Sequence, residues 1–233
     1  MKIAILSNGP GNYSTKRLKE VAIARGHEVT VIKYKECYAS IEKNNPTVSY
    51  RGEDLGKFDA IIPRIASYMT RYGTAIVRQL EMQGVYTVSS SLAINRSRDK
   101  LRSMQLLAKA GVADGTVSLS DGSGMSSYNR VTPRATATLL GWIAKQPWGA
   151  EFRATLPIGG SDGTLTRRFV GTALAGKIFA KTGSLNATNA LAGYMTSASG
   201  KDLTFAIYAN DVPEDVPATR FMDRALLAIA AAN

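Results

Sequence analysis

The sequence has 233 residues, of which 45% are apolar and 20% are charged, and its formal net charge is +11. This composition fits a globular chain with one large or two small domains and excludes a low-complexity chain. The single cysteine, Cys37, excludes an internal disulfide. With only one further histidine, His27, the chain has too few ligands for a zinc site, so we predict no metal and no cofactor.

The positive charge is concentrated in the first half of the chain. Residues 1–112 carry 18 basic and 9 acidic residues, whereas residues 113–233 carry 11 and 9. Such an excess attracts anions, but no basic run with interleaved aromatic residues is present. We therefore interpret the charge as a solvated surface and expect no nucleic-acid partner.

No segment approaches the ~20 apolar residues of a membrane-spanning helix. The opening residues MKIAILSNGP contain a short apolar run without the longer apolar region and cleavage site of a signal peptide. We therefore predict a buried first strand, no membrane association and a cytoplasmic protein.

In chain order, the first half alternates short apolar runs with helical patterns. The runs typical of strands are KIAILS, EVTVIKY, FDAIIPRI and VYTVS. The helical segments are STKRLKEVAIARG, TAIVRQLEMQG and DKLRSMQLLAKAG, the last opened by Asp99 and stopped by Gly111. The alternation predicts an α/β unit with a small parallel sheet and flanking helices. The polar segment between Tyr34 and Phe58 is expected to be a long loop with a short hairpin.

The second half has a different pattern. A Gly- and Ser-rich loop, ADGTVSLSDGSGMSSYNR, precedes a helix, VTPRATATLLGWIAKQ, and a second expected loop, WGAEFRATLPIGGSDGTLTRRF. The runs KIFAKT, ALAGYMT and LTFAIYA are separated by hairpin-length gaps and predict a three-stranded antiparallel sheet. A final amphipathic helix, PATRFMDRALLAIAAA, gives this half two helices. We place the boundary near Gly111–Gly115, with domains 1–112 and 113–233.

The first half resembles the N-terminal domain of the RimK family of ATP-grasp ligases, which add glutamate to a ribosomal protein. The stretches that carry the resemblance are KRLKEVAIARGHEV, YGTAIVRQLEMQGVY and INRSRDKLRSMQLLAKAGV. In that family the region precedes the ATP-grasp core, and the resemblance ends at Val112. No Gly-rich phosphate-binding loop followed by Lys, and no acidic pair with an Asn, follows Val112.

The second half resembles the C-terminal part of penicillin-binding proteins of the D-alanyl-D-alanine carboxypeptidase/endopeptidase class. The match is carried by SDGSGMSSYNRVTP, LPIGGSDGTLTRRF and GTALAGKIFAKTGSLNATNALAGYMTSASGKDLTFAIYAN. The chain thus looks like two family fragments joined end to end. A fusion, engineered or formed by recombination, is the most economical account.

The resemblance gives a role to the Lys-Thr-Gly motif of the second half. It implies that Lys181, Thr182 and Gly183 bind substrate, with Lys181 supplying charge and Thr182 a hydroxyl donor for a terminal carboxylate. Gly183 would let the ligand lie close to the strand. We therefore expect an anionic or β-lactam-like small ligand at this strand.

The carboxypeptidase mechanism also needs a Ser-x-x-Lys and a Ser-x-Asn motif. Ser97–Lys100 and Ser40–Lys43 fit the first by spacing, and Ser127-Tyr128-Asn129 fits the second. Ser97 lies within the ligase-like stretch, and Ser127 belongs to a different element in the penicillin-binding family. We therefore predict no catalytic residue in this chain.

Three functions remain open from the sequence: a serine D-Ala-D-Ala carboxypeptidase, an ATP-dependent glutamate ligase, and a non-catalytic chimera that binds a ligand weakly at Lys181. We favour the third, with the carboxypeptidase as its nearest family activity. In the intact carboxypeptidase family the sheet has further strands, so we also expect an exposed sheet edge that allows self-association.

Overall fold

The computed structural model describes residues 1–43, 45–122 and 124–233. Their contacts divide the chain into two compact units, Met1–Asp99 and Lys100–Asn233. The predicted division after Val112 differs from this one only in the segment 100–112, and the domain limits stay a prediction. Among the described residues, no helix combines the length and apolar content needed to cross a membrane.

The first unit is built around a parallel sheet. Its elements are β1 (Lys2–Ser7), α1 (Tyr13–Ala24), β2 (Glu28–Ile32), β3 (Cys37–Glu42), β4 (Asn45–Tyr50), β5 (Glu53–Asp54), β6 (Ala60–Arg64), α2 (Thr70–Met82), β7 (Tyr86–Thr87) and α3 (Ser91–Arg98). Strands β2, β1, β6 and β7 form this sheet in that order, all parallel. Ile3, Ala4, Ile5 and Leu6 are buried, because a central parallel strand is covered on both faces. The predicted parallel sheet is confirmed.

The central position of β1 creates a reversal in the strand order. The chain passes from β1 to β2 on one side and later to β6 on the other. The carboxyl ends of β1 and β6 therefore flank a topological switch point, the usual place for a ligand crevice in an open parallel sheet.

The segment predicted as a loop with a short hairpin contains more strand than expected. Strands β3, β4 and β5 form a three-stranded antiparallel sheet. The side chain of Gln79, in α2, donates hydrogen bonds to the carbonyl oxygens of Ser40 and Thr47 at 2.7 and 3.2 Å. Contacts this distant along the chain are not visible in a local pattern. Asn44, inside the predicted loop, lies outside the described residues.

Helix α3 was not predicted. Ser90 caps it, because the Ser90 hydroxyl accepts a hydrogen bond from the Ala93 N–H at 3.0 Å. The helix ends at Arg98, and the backbone of the following Asp99 is extended at φ −87° and ψ 98°. The predicted helix after Asp99 is confirmed, since a new helix begins at Lys100.

The second unit carries the antiparallel sheet. Its elements are α4 (Lys100–Lys109), β8 (Val117–Ser118), β9 (Arg130–Val131), α5 (Pro133–Ala144), α6 (Gly149–Ala154), β10 (Ile178–Leu185), β11 (Thr188–Thr196), β12 (Asp202–Ala209) and α7 (Ala218–Ala232). Strands β10, β11 and β12 pair in that order, each pair antiparallel, as predicted. The fold class, a parallel α/β unit followed by a three-stranded antiparallel sheet with helices, is confirmed.

Helices cover both faces of the antiparallel sheet. On one face, Ile178 and Leu191 join a core with Met222 and Leu226 of α7. On the other face, a hydrogen bond holds α5 to the sheet, because the Tyr194 hydroxyl donates to the Leu140 carbonyl oxygen at 2.9 Å. Each strand therefore presents alternate side chains to a different helix.

Helix α6 lies where a loop was predicted. Its six residues are too few to show helical periodicity in the sequence. Gly149 begins it, and a Cβ there would lie 2.6 Å from the Ile143 carbonyl oxygen. The close approach to the end of α5 therefore requires glycine at this position.

Candidate functional site

The Lys181-Thr182-Gly183 motif lies in the middle of β10, at an edge of the antiparallel sheet. Strand β10 pairs with β11 along its whole length, from Ile178 opposite Met195 to Leu185 opposite Thr188. The strand continues three residues beyond the predicted run KIFAKT, so the whole motif is held in extended backbone. The three predicted residues therefore lie on one continuous strand that is held by β11.

Among the described residues, backbone hydrogen bonds to the outer edge of β10 occur only at the beginning of the strand. The Ala180 N–H donates to the Pro157 carbonyl oxygen at 3.0 Å, and the Ile178 carbonyl oxygen accepts from the Gly159 N–H at 2.9 Å. Because backbone groups alternate along an antiparallel strand, the N–H and C=O groups of Thr182 and Ser184 point to the same side. Among the described residues, no strand pairs with this part of the edge.

Lys181 is exposed, and no acidic side chain of the described residues pairs with its ammonium group. Its Nζ donates to the carbonyl oxygen of the adjacent Thr182 at 2.6 Å. None of the ion pairs formed within the described part of the chain includes Lys181. A cation whose nearest acceptor is a neutral carbonyl is available for an anion from solution.

Thr182 and Gly183 differ in what surrounds them. The half-buried Thr182 donates its hydroxyl to that of Thr164 at 2.9 Å, which fixes the orientation of the side chain. A Cβ at Gly183 would lie 3.4 Å from the Cβ of Ala190, an ordinary contact distance. Internal packing therefore does not require glycine at this position, and its absent side chain leaves the strand surface open.

The Ser97–Lys100 pair does not lie on one helical turn. Ser97 is in α3 and donates its hydroxyl to the Ile94 carbonyl oxygen at 2.9 Å. Lys100 begins α4 beyond the extended Asp99, and its Nζ donates to the Ser120 carbonyl oxygen at 2.7 Å. The helical geometry that would align a serine with a lysine three residues later is interrupted between them.

The Ser40–Lys43 pair lies at the end of a strand. Ser40 is in β3, and its hydroxyl donates to a carboxylate oxygen of Glu42 at 3.3 Å. Lys43 lies in the turn that follows. A strand carries residues three apart on opposite faces, so this spacing does not align a serine with a lysine.

Ser127 and Asn129 belong to a loop held by Asp121. The Asn129 side chain accepts a hydrogen bond from the Ser120 N–H at 2.7 Å and donates one to Asp121 at 2.8 Å. Asp121 also accepts from the backbone N–H groups of Gly124 and Ser126, both at 3.0 Å. These bonds occupy the Asn129 amide in organising the loop. Ser123, in the same Asp-Gly-Ser-Gly turn, lies outside the described residues.

The sequence analysis missed the segment that lies beside β10. Residues 157–159 bond to the start of the strand, and Thr164 contacts the motif threonine. The segment lies within the stretch LPIGGSDGTLTRRF, which carried the family resemblance but received no role. Within the described residues, no group of three or more His, Cys, Asp or Glu side chains is placed to hold a metal ion.

Arg153 packs against the start of the same strand. Its guanidinium lies 4.5 Å from the centroid of the Phe179 ring and pairs with Asp202 at 3.2 Å. Burial raises the pKa of the neighbouring Tyr194 hydroxyl, and the charge of Arg153 opposes that shift. The phenol therefore stays protonated at neutral pH and holds α5, so these residues support the strand.

Comparison with known proteins assigns different families to the two ends of the chain. The model of the RimK PreATP-grasp domain matches residues 1–94. A protein named "Probable alpha-L-glutamate ligase 2" from Shewanella frigidimarina is 59% identical over 112 residues, which are 48% of this chain and 38% of that protein. "Probable alpha-L-glutamate ligase 1" from Pseudoalteromonas atlantica is 58% identical over 112 residues, 48% of this chain and 37% of that protein. The chain therefore spans less than half the length of these curated relatives.

Solved structures share the fold at low sequence identity. Penicillin binding protein 4 from Haemophilus influenzae, complexed with a β-lactam, superposes with a TM-score of 0.52 and 22% identity over 94% of this chain and 51% of that one. The penicillin G-acylated predatory endopeptidase Bd3459 from Bdellovibrio bacteriovorus superposes with a TM-score of 0.51 and 16% sequence identity. This match covers 93% of this chain and 58% of that one. At such identity, these matches establish the fold only.

A second family model matches the larger part of the chain. The model of the D-Ala-D-Ala carboxypeptidase 3 (S13) family matches residues 87–232, and it meets the RimK-like match with a short overlap. The predicted combination of two family fragments in one chain is thereby confirmed, whereas the position of their junction stays a prediction. The chain belongs to the D-Ala-D-Ala carboxypeptidase 3 (S13) family and carries a RimK-like PreATP-grasp region before it.

Proposed function

We propose that this chain binds a small carboxylate or β-lactam-like ligand along β10 and does not form an acyl-enzyme. The observation that carries the proposal is the edge of β10 beyond Ala180, with which no strand of the described residues pairs. There the N–H groups of Thr182 and Ser184 point outward, and the Lys181 ammonium, which donates only to the neighbouring Thr182 carbonyl oxygen within the described residues, can turn to an anion. An extended ligand adds to such an edge through main-chain hydrogen bonds. Lys181 then neutralises its carboxylate.

The chemistry of the serines supports binding without acylation. The serine of a Ser-x-x-Lys motif becomes a nucleophile when the amine of that lysine lies within hydrogen-bond reach of its hydroxyl. The hydroxyls of Ser97 and Ser40 donate to a carbonyl oxygen and to Glu42, and the Asn129 amide is occupied by the Asp121 loop. We therefore propose that no serine of this chain is activated. We propose separately that the protein is cytoplasmic.

Intact-mass spectrometry after incubation with penicillin G tests the absence of acylation. The sample is first shown to be folded by near-UV circular dichroism. We expect an unchanged mass. An adduct of one penicillin would overturn the inactive assignment, and peptide mapping would identify the serine that carries it.

Calorimetric titration with a D-Ala-D-Ala dipeptide tests the binding itself. We expect saturable binding that is lost when the terminal carboxylate is replaced by an amide. Lys181→Ala should weaken it about tenfold or more, because a charge-assisted bond contributes ~1.5–3 kcal/mol. Lys177→Ala, at another exposed lysine just before β10, is the matched control. Equal loss in both variants would indicate non-specific charge attraction.

A glutamate ligase is the second candidate, favoured by the 59% identity of the first 112 residues to a protein named as such. ATP-dependent incorporation of labelled glutamate into a ribosomal-protein acceptor would support it. ATP hydrolysis and incorporation at the level of a heat-denatured control would reject it for this chain.

We also propose that the outer edge of β12 mediates self-association. In the described part of the chain no strand pairs with this edge, and β12 contains no Lys or Pro that would discourage pairing. A second copy can pair with it antiparallel, since Asp202 at one end is the only charged residue of the strand. Light scattering should show a concentration-dependent dimer. Ala206→Pro should abolish it, because the alternation of pairs directs the Ala206 N–H away from β11. A wild-type monomer at every concentration would contradict this proposal.

A further inference from the structure

We propose that the first unit contains a separate binding site for a small metabolite with an anionic oxygen group. The site is a cavity of about 480 Å³ at the carboxyl ends of β1 and β6. Its polar lining includes Ser7, Asn8, Asn12, Thr15 and Arg64, and no Asp or Glu of the described residues lines it. No predicted function of the chain uses these residues.

The position of the cavity is the first argument. It lies beyond the carboxyl ends of the adjacent parallel strands β1 and β6. At this point the strand order reverses, because β2 lies on one side of β1 and β6 on the other. Open parallel sheets bind ligands at such a switch point, because the strand ends and the following loops form a crevice there. A volume of about 480 Å³ also lies within the usual range for small-molecule sites, roughly 300–1,000 Å³.

Arg64 supplies the positive charge. It is the last residue of β6, and its Nη2 donates to the Ser14 hydroxyl in the first turn of α1 at 2.8 Å. No ion pair among the described residues includes Arg64. A guanidinium has five N–H donors, so a single bond to Ser14 leaves a planar set of donors for an oxyanion.

Two buried hydroxyls provide a donor for which the described residues contain no acceptor. Ser7 and Thr15 are 4% and 1% exposed, and their hydroxyl oxygens are 3.1 Å apart. Ser7 also accepts from the Gly9 N–H at 3.3 Å. The pair has two hydroxyl hydrogens, and the bond between them uses one. In the described part of the chain the other hydrogen has no acceptor, so an oxygen inside the cavity completes the pair.

Asn8 and the start of α1 add further donors. The Asn8 amide donates to the Met69 sulfur at 3.4 Å, and sulfur is a weak acceptor that a ligand oxygen readily replaces. Helix α1 has no acidic residue in its first turn, and the Asn12 side chain does not cap it. The positive end of the helix dipole therefore reinforces the preference for an anion.

These groups together define the ligand class. The guanidinium, the spare hydroxyl and the amide are all donors, and no carboxylate in the lining would repel an anion. Phosphate and carboxylate share the oxygen chemistry that such donors recognise. The volume leaves room for an organic part beside the anionic group.

Nuclear magnetic resonance titration of the full chain tests this site. Inorganic phosphate and acetate are added separately at constant ionic strength set by sodium chloride. We expect saturable shifts of the amide signals of residues 7–15 and of the Arg64 side chain with at least one anion. Saturable shifts with phosphate alone would identify the ligand as a phosphate ester, and shifts with acetate alone would identify it as a carboxylate. Shifts with both anions would indicate a site that accepts either oxyanion. Saturation by neither anion would overturn the proposal.

Matched variants separate this site from general charge attraction. Arg64→Gln should weaken binding about tenfold or more, because it removes charge-assisted hydrogen bonds. Arg25→Gln, at an exposed arginine that follows the opposite end of α1, should leave it unchanged. Thr15→Val keeps the shape of the side chain and removes its hydroxyl, so it should also weaken binding. Equal weakening by Arg25→Gln and Arg64→Gln would reject the site.

Discussion

The two sheets of this chain present functional groups in different ways. In the first unit the central strand β1 is buried, with Ile5 and Leu6 fully enclosed, and polar groups gather only beyond its carboxyl end. In the second unit β10 is an edge strand, and Lys181 and Thr182 lie on the strand itself. A covered parallel sheet offers chemistry at its ends, whereas an antiparallel sheet offers it along an edge.

The largest expected effect comes from breaking the central strand. Ile5→Pro removes a backbone donor from β1, which pairs with strands on both sides, and should cost about 3 kcal/mol or more in the free energy of unfolding. Urea unfolding followed by far-UV circular dichroism measures it. Ile5→Val, expected to cost only about 0.5–1.5 kcal/mol, is the control. An unchanged midpoint for Ile5→Pro would contradict the central position of β1.

Two glycines in the second unit sharpen the contrast between packing and binding. A Cβ at Gly193 in β11 would lie 2.1 Å from the Phe179 carbonyl oxygen, whereas one at Gly183 would meet only Ala190 at 3.4 Å. Gly193→Ala should therefore destabilise by about 1–3 kcal/mol or more, and Gly183→Ala by much less. Both tryptophans lie in the second unit, so their fluorescence during urea unfolding reports the difference. Equal loss in the two variants would argue against the strand register.

Cys37 gives the first unit its own pH dependence. Burial raises the pKa of this thiol to about 11, with a smaller contribution from the charge of Glu36. The thiol of the unfolded chain loses its proton at a lower pH than the buried thiol of the folded chain. The free energy of unfolding is therefore unaffected by Cys37 below the pKa of the unfolded thiol, and it falls as the pH rises from there toward 11. We expect iodoacetamide to label Cys37 slowly at pH 8, and rapidly only in urea, as read by intact mass. Labelling at the rate of a small thiol in the folded protein would disprove this protection.

The smallest expected effect is that of Lys181→Ala on stability. The side chain is exposed and belongs to no ion pair within the described residues, so the free energy of unfolding should change by less than about 0.5 kcal/mol. Thermal unfolding with and without the D-Ala-D-Ala dipeptide provides the measurement. Ligand-induced stabilisation should disappear in this variant. A large loss of intrinsic stability would show that Lys181 is structural.

Long periodic segments were predicted well, and short or interrupted ones were not. The apolar runs of β1 and β6 and the hairpin gaps of β10–β12 are local signals, and the structure contains these strands. Helix α3 escaped prediction because INRSR has few apolar residues. The expected hairpin between Tyr34 and Phe58 is present as β3 and β4, but the third strand β5 was not foreseen, and neither was the distant contact from Gln79. The serine–lysine spacing at Ser97 is helical by sequence alone, but the extended backbone at Asp99 separates the two residues.

The sequence by itself determined the two family fragments, the order of most elements and the three residues of the motif strand, because these depend on residue identity and local periodicity. Only the tertiary structure decided that no described strand pairs with the edge of β10 beyond Ala180 and that Asn129 serves a loop. It also decided that Ser7, Thr15 and Arg64 line one cavity. These features join residues far apart in the chain. Their positions depend on how buried surfaces pack, and a local pattern does not contain that information.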